Sequence, residues 1–190
     1  MAMNLIKGKE LVRQMLQLIG EDPQRLGLKG TPQRVVKMWS QIFCGYDPKK
    51  KPKVTVFKNG RDGIFYRDMI IDKGYFFSYC EHHIVPFFGE FYFGYIPDKF
   101  IVGASKISRV IDYYSARLQV SERLVTQIVD FFESCLEPKG LVLIMSGRHL
   151  CKEMRGVKKF NSPFEVIAVR GVFADDSHAC KMEFLSRISK

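Results

Sequence analysis

The run Ser78-Tyr79-Cys80-Glu81-His82-His83 sets a cysteine and a histidine three residues apart, a spacing at which a thiolate and an imidazole can close on one ion in a turn. Far downstream, His149-Leu150-Cys151 ends a predicted strand, where residues two apart face the same side. Together the two segments offer two sulfurs and up to three imidazoles. Two cysteines with one histidine would leave one of zinc's four positions to water, which marks a catalytic rather than a structural site. Sulfur and imidazole favour Zn²⁺, and water acidified toward neutrality there becomes a nucleophile. The same spacing also suits two buried core thiols with locally satisfied histidines. Cys44, Cys135 and Cys180 are read as core thiols.

The bulk composition narrows the class. Five cysteines in a chain without export features argue against a disulfide framework. No stretch reaches the roughly 20 apolar residues of a membrane span, and the start Met1-Ala2-Met3-Asn4 lacks the pattern of a signal peptide, so a cytoplasmic protein with no membrane partner is expected. A formal charge of +10 points to an anionic substrate or partner, nucleotide or nucleic acid, although much of it, including Lys49-Lys50-Lys51, suits a solvated surface. At 190 residues the chain can bury one real core.

Elements that could position these groups are legible from periodicity. Leu11, Val12, Met15, Leu16 and Ile19 recur at helical spacing over Lys9 to Ile19, closed by Gly20. Thr31-Pro32 reads as a capping hydroxyl and an N-terminal proline, after which Val35, Met38, Trp39, Ile42 and Phe43 line one side. Residues 1–46 are therefore expected to form an N-terminal helical arm, and 47–190 one compact domain. A loop spans Asp47 to Gly63, with a short strand at Val54 to Phe57. Strands are expected at Ile64 to Ile71, Tyr75 to Tyr79, Gly89 to Ile96, Leu141 to Met145, Phe164 to Phe173 and Met182 to Leu185. Helices are expected at Ser105 to Tyr114 and Val120 to Leu136. Strands, a helix pair, then strands is an α+β order.

Several blocks in order resemble the GTP cyclohydrolase I family. They are Gly27-Leu28-Lys29-Gly30-Thr31-Pro32-Gln33-Arg34-Val35-Val36-Lys37-Met38, Cys80-Glu81-His82-His83 with Pro86-Phe87 and Gly89, Tyr95-Ile96-Pro97, and Gly103-Ala104-Ser105-Lys106 with Arg109. Gln119-Val120-Ser121-Glu122-Arg123-Leu124, His149-Leu150-Cys151 with Met154-Arg155-Gly156-Val157, and Glu183-Phe184-Leu185 complete the set. The resemblance implies that Cys80, His83 and Cys151 hold Zn²⁺, while His82 and His149 stay off the metal as proton carriers, with Ser105 assisting near the ribose. It implies guanine recognition by Glu122, beside Ser121, since a carboxylate accepts from N1–H and the exocyclic amine together. It also implies triphosphate contacts from Arg34, Lys37, Lys106, Arg109 and Arg155.

The implied reaction opens GTP at guanine C8, releases formate and rearranges the ribose to give 7,8-dihydroneopterin triphosphate, the first step toward tetrahydrofolate and other pterins. The implied architecture is the tunnelling fold (T-fold): an antiparallel sheet with two helices on one side plus the helical arm. Its subunits join into a barrel, a homodecamer of two pentamers with sites between subunits. Alternatives are the same chemistry feeding 7-deazaguanine nucleic-acid modification, and a non-catalytic zinc-stabilised homologue that binds nucleic acid, a partner not otherwise expected. The chain departs from the family pattern at Ser121, where glutamine is usual. Lys181 stands at a usual arginine, and Val166-Ile167 replaces Thr-Ser.

Overall fold

The computed structural model describes residues 4–175 and 178–189, and the chain divides into two compact units, 1–51 and 52–190. Met1 to Met3, part of the start read for export features, lie outside the described residues. Among the described residues no helix is long and apolar enough to cross a membrane.

In the first unit, α1 (Leu5–Leu18) starts at Asn4, whose side chain accepts from the Lys7 N–H at 3.0 Å and satisfies one orphan donor of the first turn. The start of α2 (Thr31–Ile42) differs from expectation. Gly30 is the cap, and the Thr31 hydroxyl accepts from Arg34 Nη2 at 2.9 Å instead of capping; Pro32 lies in the first turn, where a missing N–H costs little. Val12, Leu16 and Val36 form the buried cluster, with Leu28, Val35 and Trp39 against it. Leu11, Met15, Ile19 and Met38 are exposed, because two helices can cover only one stripe of each other.

In the second unit, β1 (Val56–Lys58) pairs with β4 (Phe100–Val102). The main sheet comprises β2 (Ile70–Cys80), β3 (Pro86–Ile96), β5 (Leu118–Gln119), β6 (Gly140–His149) and β7 (Phe164–Gly171), in the order β5-β2-β3-β6-β7. Every pairing is antiparallel except the short parallel one of β5 with β2. Strand alternation splits the apolar residues between two faces. Phe91, Phe93, Tyr95, Leu141, Leu143 and Met145 pack with Ile107, Val110 and Ile111 of α3 (Ala104–Ser115) and Leu124, Ile128 and Phe132 of α4 (Ser121–Leu136). Val142 and Ile144 belong to a second cluster with Phe173 and Phe184.

Three expected elements come out differently. The residues before β2 are not a strand up to Ile70. The buried Asn59 side chain takes both main-chain groups of Tyr66, accepting from its N–H at 3.0 Å and donating to its carbonyl at 2.9 Å, so no ladder partner is needed. Asp72-Lys73-Gly74 does not interrupt β2. Gly74 pairs with Phe91, and a Cβ there would approach the Phe91 ring to 2.8 Å, so glycine is what admits that ring. Met182 to Leu185 lies in a helix, α6 (Ala179–Ile188), whose Phe184 ring sits over Gly94; a four-residue apolar run does not distinguish the two periods.

The β2–β3 and β3–β6 registers bring the site segments together, with Tyr79 opposite Pro86 and Phe87 opposite His149. Cys80 pairs with Gln119, which carries the start of α4 to the same end of the sheet. Gly89 faces Gly147 within this register, and a Cβ on Gly89 would collide with the Ser146 carbonyl oxygen. Gly89→Ala is expected to destabilise the protein by about 1–3 kcal/mol, read as a lower denaturant midpoint. An unchanged midpoint would mean that the strands can spread at that point without cost.

Candidate functional site

Cys80 is the last residue of β2 and is buried; the following turn closes by Cys80 N–H to the Val85 carbonyl at 2.9 Å and Ile84 N–H to the Cys80 carbonyl at 2.8 Å. Ile84 within it has φ +56°, a conformation that costs a β-branched residue on the order of 1–3 kcal/mol. This strained turn presents both histidines to one sulfur: His82 Nδ1 lies 3.7 Å and His83 Nδ1 3.6 Å from Cys80 Sγ. An ion pair of Glu81 with Arg123 joins the turn to the first turn of α4.

Cys151 reaches the same place by a route the strand reading did not foresee. The strand β6 ends at His149, and Leu150–Glu153 is a helical turn, α5, so the two residues are not side by side on a strand. The donor atoms of Cys80, His83 and Cys151 lie within 4.8 Å of one another. Burial, then the neighbouring Cys80 sulfur, push the Cys151 thiol above its usual pKa. A divalent cation fits this donor set because it would hold both crowded sulfurs as thiolates.

A cavity of about 290 Å³ opens beside this group. Cys80, Cys151, His82, His149, Ser121 and Glu122 all line it, with Gln119, Val120, Lys152 and Phe164. The His149 ring is stacked on Phe87 at 4.5 Å with planes 6° apart, and Phe164 meets its edge at 5.8 Å. Ser121, only 6% exposed, lies with Oγ 3.1 Å from His149 Nε2. Burial lowers the His149 pKa, against the opposing charge of Glu122.

Other residues named from the sequence are not in the cavity lining. Ser105, Lys106 and Arg109 occupy the first two turns of α3, with Ser105 and Arg109 exposed. Arg155 Nη1 lies 2.7 Å from His83 Nε2; a guanidinium only donates, so that nitrogen accepts. Arg34 and Lys37 are exposed on α2 of the first unit. Sequence reasoning gave no site role to Gln119, Val120, Lys152 and Phe164; for the first three, proximity to Ser121 and Cys151 in the chain was the available signal. At the departures, Val166 packs against the core while Ile167, exposed, faces away, and Lys181 lies on α6. Cys135 and Cys180 pack partly buried against the two main clusters; Cys44 is half-buried.

The family model described as GTP cyclohydrolase I matches residues 8–189. The chain belongs to the GTP cyclohydrolase I family. Among curated relatives, a GTP cyclohydrolase 1 of Deinococcus radiodurans is 44% identical over 94% of this chain and 81% of its own length. One of Wolinella succinogenes is 40% identical over 95% of both chains, and one of Helicobacter acinonychis 42% over 86% of this chain and 89% of its own. Among solved structures, the archaeosine synthase QueF-Like in its apo form aligns with 54% of this chain and 93% of its own, at TM-score 0.46 and 16% identity. The GTP cyclohydrolase I match spans both compact units.

Proposed function

We propose that this chain hydrolyses GTP at guanine C8, releases formate and forms 7,8-dihydroneopterin triphosphate, with Zn²⁺ as cofactor held by Cys80, His83 and Cys151. The observation that carries the reading is that Glu122, His82 and His149 share one cavity with Cys80 and Cys151. Zinc, when bound, supplies Lewis acidity that makes water a competent nucleophile near neutral pH.

The chain's own residues do the rest. Glu122 accepts from N1–H and the 2-amino group of guanine, a donor pair that adenine lacks. His149 protonates N7 as C8 is attacked; its flat stacking on Phe87 and its contact with Ser121 Oγ hold the ring in one orientation. Ser121 is engaged with His149 rather than aimed at the base, so guanine selection falls mainly on the carboxylate. His82, with Ser105, moves protons as the ribose opens, and Lys106, Arg109, Arg155, Arg34 and Lys37 receive the triphosphate. Phe164 and Phe87 exclude water from the side of His149.

Assembly belongs to the same proposal. Ser105, Lys106 and Arg109 lie outside the cavity lining of their own chain, which supports a site completed between subunits. Among the described residues β2 is paired beyond β3 only at Tyr79 and Cys80, and β7 only to β6, leaving long edges that a barrel of several sheets, in a decamer of two pentamers, would close.

Incubation of zinc-loaded protein with GTP is expected to yield formate and, after oxidation and dephosphorylation, fluorescent neopterin. Metal-replete protein that yields neither overturns the proposal. Glu122→Gln offers an amide N–H to a base donor, and at about 1–3 kcal/mol for an unsatisfied donor it is expected to raise KM for GTP about 10- to 100-fold. Steady-state kinetics check this, and a KM left at the parental value would remove Glu122 from base recognition.

A further inference from the structure

Among the described residues with buried side chains, Glu153 is the one that carries a charge; its side chain is 4% exposed. Its partner is Arg148, through two parallel bonds: Nε to Oε1 at 3.0 Å and Nη2 to Oε2 at 2.6 Å. The guanidinium lies over Phe160 at 5.0 Å and Phe88 at 5.9 Å, so its faces are fixed as well as its edge. The four residues between these partners are His149, Leu150, Cys151 and Lys152. The pair thus closes a short loop that contains both the candidate proton carrier and a candidate metal ligand, where strand β6 gives way to the turn α5.

A bidentate pair whose carboxylate side is 4% and guanidinium side 34% exposed differs from the more exposed ion pairs Arg13–Glu10 and Arg187–Glu183, whose side chains are screened and contribute little. Such a pair is a weak source of net stability, yet it specifies geometry, because any other arrangement strands the buried Glu153 carboxylate. The stretch that follows is tied to the same place: Lys152 Nζ donates to the Ser162 hydroxyl at 2.7 Å and carbonyl at 3.1 Å, and Lys159 N–H donates to the Lys152 carbonyl at 3.1 Å.

We propose that Arg148 and Glu153 are positioning residues, a clamp across the end of β6 that sets where Cys151 Sγ stands relative to Cys80 and His83 and so how firmly the metal is held. The inference rests on the reading of that group as a zinc site. Neither residue lines the cavity or belongs to the Cys80, His83 and Cys151 group; each acts through the backbone between them.

Purified zinc-loaded protein is challenged with a colorimetric chelator and the rate of zinc transfer is followed; Co²⁺-substituted protein reports the thiolate absorption. Glu153→Gln keeps the shape and removes the charge, while Arg148→Lys keeps the charge and removes the fork. Each is expected to lose zinc about 10- to 100-fold faster, the range for a group that orients a ligand, with an altered Co²⁺ band and an unchanged KM for GTP. The double variant is expected to be no faster than the worse single one, since both break one link. Parental zinc-transfer rates in folded variants, even with a lowered melting temperature, or strictly additive effects, overturn the clamp. If Glu153→Gln does not fold, Arg148→Lys, which still neutralises the buried carboxylate, decides the matter alone. Parental protein that binds no zinc would sink the metal-site reading itself, whereas parental protein that holds zinc and makes product while the variants behave identically sinks only the clamp.

Discussion

Cys151→Ala is expected to leave the protein without bound zinc after dialysis and without formate release from GTP. The donor atoms of Cys80, His83 and Cys151 gather within 4.8 Å of one another. With Cys151 gone, two donors on one turn remain. Zinc affinity should then fall by more than the roughly 10- to 100-fold that follows loss of a group merely orienting a ligand. Removing a half-buried sulfur creates little cavity, so the fold should survive and loss of turnover can be assigned to the metal. Metal analysis and a formate assay on the same preparation check the expectation. Full zinc content in a folded Cys151→Ala protein would contradict the ligand assignment.

His149→Ala is expected to separate the two properties: zinc is retained, while turnover falls by about 10²- to 10⁴-fold, the usual contribution of a positioned acid or base. The imidazole stands on the cavity wall, flat against Phe87, with Ser121 at its Nε2. Burial lowers its pKa, and the charge of Glu122 opposes that shift. The variant also loses a stacked ring, which should lower stability modestly. Zinc content, formate release and a melting curve, measured together, distinguish these effects. Loss of zinc with turnover would instead make His149 a ligand.

These expectations draw unequally on sequence and structure. The Cys80-to-His83 turn and the start of α4 at Ser121-Glu122 could be read from the chain, because both are local: a turn needs few residues, and the helix announces itself by apolar spacing that runs to Leu136. The route to Cys151 could not. A strand through His149-Leu150-Cys151 and a strand ending in a helical turn have the same apolar pattern, and the paired ladder stops at Phe87 opposite His149. Similarly, Asp72-Lys73-Gly74 falls between two expected strands until Phe91, seventeen positions on, needs the room that Gly74 leaves.

Residue types and their spacing pointed to thiols and imidazoles able to share one metal ion, on an α+β chain with an excess of cations, while the carboxylate for a purine came only from the resemblance to the GTP cyclohydrolase I family. Tertiary structure alone decided which of these share a cavity. It set Ser121 against His149, left Ser105, Lys106 and Arg109 outside the lining, and paired Arg148 with Glu153. The physical reason is range. Turn and helix preferences are settled by neighbours a few residues away, whereas strand register and the burial of a charge are settled by partners far off in the chain, which no local pattern names.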